Sequence, residues 1–367
     1  LHHALLKTER TALRLPGEGA VQWVYGNAEE NGFLRTDYNL PLRNALQSVA
    51  ATELSPSERI GFLNHLWALC LSGDLSISYF ADTLARFKGD PTRVVVEALA
   101  AYLETLSNQL ILQKDRPKFA ALVKELIDPV WKDLGWDPAP DEDDEKRLAR
   151  AAALWAMGAL AQDDDVLAEL PRRQTRYLAK AASLDPTLAT SLIRLCARTD
   201  GGAGFDRYIK RFQTAATPEE RDRYLTALAD FNKPALARKL LEFALSDEVR
   251  SQDVWKPVRY LLANPAAQEE TWSFIKERWP QLKEKGGSVG AQRMIQGTRH
   301  LWRPQWHEEV KAFFNEPANK VAAAERALAQ TLEWIQLGTR FKERQMIPLS
   351  RWLQERGGSA KPLQRQF

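Results

Sequence analysis

The chain has 367 residues and is poor in the residue types that most often carry chemistry. It has two cysteines, Cys70 and Cys196, and each lies inside an apolar helical pattern. That excludes a disulfide scaffold and reads as buried free thiols in a reducing compartment. Its five histidines are His2, His3, His65, His300 and His307. None pair at i and i+4, the spacing that sets two imidazoles on one helical face for a metal. No apolar run of about 18 residues occurs, so no membrane-crossing helix is expected. No Asn-X-Ser/Thr acceptor occurs, which points away from a glycosylated secreted chain. Neither charge dominates: 51 basic against 48 acidic residues leave +3, too balanced for a nucleic-acid surface. Phosphate loops and serine nucleophile elbows are missing, and Gly201-Gly-Ala-Gly204 lacks the lysine and preceding strand of a phosphate cradle. The start, Leu1-His-His-Ala-Leu-Leu-Lys7, has neither an initiator Met nor the layout of a signal peptide, and reads as the start of a fragment or processed chain.

What is present changes period once. Thr8–Leu15, Val21–Tyr25 and Gly32–Tyr38 carry strand signals separated by Pro16-Gly17 and Gly26-Asn27, which predicts a three-strand meander. From Leu40 onward the pattern is helical. Ser55-Pro-Ser-Glu58 is a capping box with proline at the first helical position, followed by Leu63, Leu66, Trp67 and Cys70 on one face and Gly73 as a stop. His65 in this run is expected to be partly exposed. Thr217-Pro-Glu-Glu220, Asp185-Pro186 and Asn264-Pro265 read as further helix starts. Joints are expected at Gly89-Asp90-Pro91, Gly135 to Pro140, Thr199 to Gly204, Gly286-Gly287 and Asn315 to Asn319. About 16 helices follow from mean helix length. The fold class is mainly α: an irregular HEAT/armadillo-like α-solenoid preceded by a short β-sandwich remnant, with a compact bundle as the rival. The division falls at 1–39, the end of a β-sandwich domain, and 40–367, a C-terminal helical domain. The 12 tryptophans are expected to fill gaps between non-parallel helices.

Several stretches, taken in order, resemble M1-type zinc aminopeptidases. Lys7-Thr to Trp23 and Asn27–Tyr38 resemble the end of their β-sandwich. Leu54–Leu63 and Ala68–Leu75 resemble the first long hairpin of their C-terminal domain. Tyr224–Leu228, Ala244–Asp253, Leu261–Pro265, Trp272–Trp279, Phe313-Phe314 and Arg326–Ile335 extend the likeness almost to the end. The resemblance implies a concave α-solenoid that caps an active site held in an upstream domain. There, a zinc-activated water would hydrolyse the N-terminal peptide bond.

The chain itself has no His-Glu-X-X-His helix and no Gly-X-Met-Glu-Asn segment for a substrate amine. No catalytic or metal-binding residue is therefore assigned, and the chain alone is expected to be inactive, with zinc in the upstream catalytic domain. The substrate-binding candidates are Arg293, Arg299, Arg303, Arg340 and Lys342, because a guanidinium on a concave wall can grip a peptide carboxylate bidentately. The competing reading is that they are solvated or ion-paired helix residues. Some relatives place a basic residue for the peptide terminus after an Ala-Leu-X segment. Here Asp230 follows Ala227-Leu-Ala229, so that contact does not carry over.

His300 and His307 with Glu308 and Glu309 are more simply packing or surface residues, since Pro304 interrupts them. Asp141–Glu145 and Asp163–Asp165 read as helix N-termini, where carboxylates complement the macrodipole. The expected role is a non-catalytic C-terminal region that encloses the active-site cavity and contacts the distal part of peptide substrates. Its partners are the upstream catalytic domain and peptides, with no nucleic acid and no membrane; its location is cytoplasmic. The alternatives are a stand-alone α-solenoid interaction scaffold or a pseudoenzyme region.

Overall fold

The computed structural model describes Glu9, Ala12 and residues 20–356. Within them the regular structure is helical, with fifteen α-helices: α1 (Leu40–Glu53), α2 (Pro56–Ser72), α3 (Ile77–Arg86), α4 (Arg93–Gln109), α5 (Arg116–Leu134), α6 (Asp144–Trp155), α7 (Asp164–Ala179), α8 (Pro186–Thr199), α9 (Phe205–Thr214), α10 (Pro218–Ala227), α11 (Pro234–Leu245), α12 (Trp255–Ala263), α13 (Gln268–Gly297), α14 (Pro304–Asn315) and α15 (Glu325–Arg356).

The local signals explain where these helices start. Ser55 accepts from the Glu58 N–H while the Glu58 carboxylate takes the Ser55 N–H, so both orphan donors are satisfied. Asp143, Asp163 and Asp185 each accept an N–H from the first turn of α6, α7 and α8. Both acidic runs of the sequence thus contribute helix caps. Asn264-Pro265 differs from expectation: Asn264 closes α12, and its carboxamide takes the Ala266 N–H before α13 begins at Gln268. The double glycine also differs, because α13 passes through Gly286 and breaks direction at Gly287 (φ 60°, ψ −170°) without a loop. That backbone is readily available only to glycine.

No strand occurs among the described residues, so the meander is corrected for Val21–Tyr25 and Gly32–Tyr38. The expected strand at Thr8–Leu15 lies largely outside the described residues. A strand needs a neighbour to take its backbone groups. This segment spends them elsewhere. The Thr36 N–H donates to His65 Nδ1 (3.3 Å), Glu29 N–H to the Glu58 carboxylate (3.1 Å), Gly26 N–H to the Tyr38 hydroxyl (2.8 Å) and Gly32 N–H to Asn27 Oδ1 (2.8 Å). His65 is consequently buried, 2% exposed, where partial exposure was expected.

From α2 to α12 the even-numbered helices form one continuous inner row, which α13 and α15 extend. Going around, α2 packs on α4, α4 on α6, α6 on α8, α8 on α10, α10 on α12, α12 on α13, and α13 on α15. Helix α15 then packs back on α2 and α3, so the inner helices form a closed ring. Helices α5, α7, α9, α11 and α14 pack against members of this ring, and none of them lines the cavity described below. Large aromatic side chains fill the oblique crossings. Trp279 is fully buried and donates its indole N–H to the Asn319 carbonyl (2.9 Å). Each such buried side chain contributes roughly 1.5–3 kcal/mol from apolar burial.

The closing seam is polar and specific. Gln345 of α15 is 5% exposed, accepts the Ile77 N–H (2.9 Å) and donates to the Leu75 carbonyl (2.9 Å). It thereby satisfies the first N–H of α3 and the turn leaving α2. Arg344 donates to the Leu71 carbonyl (2.7 Å) and Trp352 to Asp82 (2.8 Å). At Gly338 of α15 the Trp302 indole lies so close that a Cβ would collide with it.

Candidate functional site

The ring surrounds a cavity of about 580 Å³. Helix α4 contributes Tyr102, Glu104, Thr105, Asn108 and Gln109, a face that recurs at three- and four-residue intervals. Arg194 and Arg198, one turn apart on α8, form the next wall. Asp230 follows from the short turn after α10, Tyr260 from α12, Arg299, His300 and Trp302 from the segment after α13, and Trp334 from α15.

One charged cluster in this wall sets two guanidiniums around a single carboxylate. Asp230 accepts from Arg194 Nε at 2.6 Å and Nη2 at 3.2 Å, and Arg198 lies 3.9 Å away. Both guanidiniums sit over the Trp155 indole, at 4.0 and 5.4 Å from its ring centre. The π-face attracts the cations, so Trp155 and Asp230 hold the pair from two sides. Trp155 ends α6 where the helix widens into a π-helical turn at Ala156–Leu160, which Gly158 fits against Leu195. Such turns are frequent at functional sites. Burial raises the Glu104 pKa above the ordinary carboxylate value, and Arg194 and Arg198 oppose that rise.

A further cation, Arg299, borders the cavity, with Arg259 of α12 near it. Burial and then Arg259 lower the Arg299 pKa, as expected for two cations crowded together. Among the described residues neither Arg259 nor Arg299 makes an ion pair. His300 beside them is pushed down to about 4, first by burial and then by Arg299 and Arg259, so it is neutral at pH 7. Its backbone carbonyl accepts from Gln268 Nε2 at 3.1 Å, which fixes the segment to the start of α13.

Of the five residues picked out in the sequence, Arg299 borders the cavity. Arg293 lies with its guanidinium 4.4 Å from the Trp255 ring centre. Arg303 pairs with Glu269 (2.6 Å) and stacks on Trp306 (4.5 Å). Lys342 is half-buried, its pKa lowered by burial and then by Arg303. Arg340 is exposed on α15. The structure therefore brings Arg303 and Lys342 together and sets Arg299 beside Arg259. Sequence reasoning passed over Arg194, Arg198, Glu104 and Tyr260. A signal existed for two of them: Arg194 interrupts the otherwise apolar run Leu192–Ala197 and Arg198 follows it one turn later. Asp230, noted for departing from a basic residue in relatives, is the acid that holds them.

His307 and Glu308 pair with each other at 2.7 Å on the first turns of α14, away from His300. Among the described residues no group of three His, Cys, Asp or Glu side chains is arranged to hold a metal ion, and no helix is long and apolar enough to cross a membrane.

Comparison with known proteins places this architecture. The family model described as the ERAP1-like C-terminal domain matches residues 23–337. Curated relatives include Aminopeptidase 2 of Candida albicans, 23% identical over 96% of this chain and 38% of its own length. Aminopeptidase M1-C of rice (Oryza sativa subsp. japonica) is 26% identical over 89% of this chain and 38% of its own. Endoplasmic reticulum aminopeptidase 1 of Rattus norvegicus is 22% identical over 96% of this chain and 38% of its own. The chain thus spans less than two-fifths of the length of these relatives.

Proposed function

This chain belongs to the ERAP1-like C-terminal domain family, the C-terminal portion of M1 aminopeptidases, and from that premise we propose that it encloses the active-site cavity of such an enzyme and contacts the distal part of its peptide substrates. In this reading the helices form an irregular α-solenoid whose inner helices wall off the space above an upstream catalytic domain. That domain holds the zinc; the residues described here supply no ligand to it. Exclusion of water and of folded chains follows from enclosure, and it strengthens the electrostatics inside.

The observation that carries the reading is Arg299, which borders the cavity without an ion pair among the described residues and has Arg259 of α12 near it. Cations without a counter-charge attract a carboxylate, and a guanidinium can take one through two parallel hydrogen bonds. The free carboxylate of a peptide's far end is the matching group. Tyr260, 37% exposed, and Trp334, 44% exposed, offer apolar area alongside.

The neighbouring module is proposed to sit against the segment before α1 and the start of α1, where Val21, Phe33, Leu34 and Leu40 are solvent-exposed. A cytoplasmic location is proposed from the two buried free thiols, whose pKa values burial raises to about 12.

The test is kinetic. Joined to its upstream catalytic domain, Arg299→Ala should raise KM about tenfold for peptides with a free carboxyl terminus, the loss of roughly 1.4 kcal/mol. The matching C-terminal amides should be unaffected. Equal effects on acids and amides would refute the carboxylate contact.

A further inference from the structure

The segment before α1 is held to α2 by a half-buried cluster around the buried His65 that the cavity does not involve. The Tyr25 hydroxyl donates to Glu30 Oε1, and His65 Nε2 lies 3.4 Å from the same oxygen. His65 Nδ1 accepts the Thr36 N–H at 3.3 Å. These contacts define the tautomer: the ring proton is on Nε2, facing Glu30, and the bare Nδ1 faces a backbone donor. Gly61, one turn earlier on α2, leaves the space that the Glu30 carboxyl and Tyr25 hydroxyl fill; a Cβ there would collide with both. Glu29 and Glu30 each hold φ 56°, a region non-glycine residues rarely occupy unless surrounding contacts impose it. The segment is therefore kept in an unfavourable local conformation by its contacts with α2.

We propose that residues 25–36 form a proton-released latch on α2, in which protonation of His65 at Nδ1 replaces the acceptor of the Thr36 N–H with a second donor and frees the segment. The strain at Glu29 and Glu30 favours release once the contact is lost. Phe33, fully exposed, and Leu34 ride on this segment, so release also moves the apolar surface they present. The groups facing His65 are Glu30 and Arg35 from the segment, with Tyr25 behind Glu30; Glu58 on α2 lies beside Tyr25, and Tyr102 on α4 lies beside Arg35. Burial, the largest influence, lowers the His65 pKa below its ordinary 6.5, and Arg35 adds to that; Glu30 opposes both. A histidine lowered on folding is neutral in the docked state. Docking is therefore complete above the ordinary value and is lost as pH falls through the depressed one.

The test is amide hydrogen exchange of the full chain, corrected for intrinsic rates. Protection at Thr36 should fall about tenfold between roughly pH 7.5 and 5.5, while α4 and α8 keep theirs. His65→Gln offers a carbonyl acceptor that does not titrate, so its Thr36 protection should be independent of pH. Unchanged protection in the parent, or the same pH dependence in H65Q, overturns the latch. Should H65Q fail to fold, ¹⁵N-histidine spectra of the parent decide. The His65 ring and the Thr36 amide must titrate together, and a titrating ring beside an unmoved amide refutes the proposal.

Discussion

Replacing Gln345 with leucine tests whether the closing seam contributes to stability beyond apolar packing. The two side chains have similar volume, so little cavity is made. What changes is polar: the Ile77 N–H and the Leu75 carbonyl each lose a partner at 2.9 Å, and the longer contact to the Cys70 carbonyl (3.5 Å) goes too. A buried backbone group left unsatisfied costs about 1–3 kcal/mol. Two such groups, partly relieved by the extra apolar burial of leucine, give a loss of about 3 kcal/mol. The expected fall in melting temperature is roughly 5 °C. Gln336→Leu, on an exposed position of the same helix, is the control and should change stability by less than about 0.5 kcal/mol. Thermal unfolding gives the magnitude, and hydrogen exchange gives the place. Amides from Leu71 to Ile77 should lose protection, while those of α8 and α10 should not. Equal melting of Q345L and the parent would refute the reasoning, as would a loss in Q336L as large as that in Q345L.

Gly338→Ala should destabilise by about 1–3 kcal/mol, because the new methyl group displaces the Trp302 indole; quenching of tryptophan fluorescence would report the movement. Asp230→Asn should weaken the hold on Arg194 and Arg198 and cost about 1.5–3 kcal/mol, the range for hydrogen bonds to charged groups, read by urea unfolding. His300 should remain neutral down to about pH 4 in imidazole NMR spectra. Its depressed pKa means that the stability tied to the neutral ring is full above 6.5 and is lost as pH falls towards 4, a slope that His300→Gln should remove.

The parts of the fold legible in the sequence were those governed by neighbours a few residues apart. Ser55 and Glu58, Asp143, Asp163, Asp185 and the joints at 89–91, 135–140, 199–204 and 315–319 act over about one turn, so their spacing identifies them, whereas Gly286-Gly287 lies inside α13. The likeness to a family, carried by ordered segments, agreed with the match over residues 23–337. What was hidden depends on distant partners. Gln345 meets Leu75 across 270 positions, and a glutamine on a long helix reads as a surface residue. Arg150, 1% exposed, is buried against the carboxylate of Glu142 and the Leu134 carbonyl, yet its sequence neighbourhood reads as a solvated helix start. His65 was read from its helix alone, whereas the segment 29–35 residues earlier decides its burial. The β pattern of residues 21–38 misled for the same reason: alternation describes a side-chain order, and the backbone partners that turn it into a sheet lie elsewhere. At the site, Arg299 was legible as one cation among five, but the pairing that sets it apart joins α12 to the end of α13.

The return of α15 to α2 and α3 fixes how this architecture can vary. An open array grows or shrinks by whole repeats, because each unit touches only its nearest neighbours. A hoop has no spare end. Adding or removing a helical pair would change the circumference and pull Gln345 out of register with Leu75 and Ile77. Length changes are therefore tolerated in exposed connections and not in the number of inner staves.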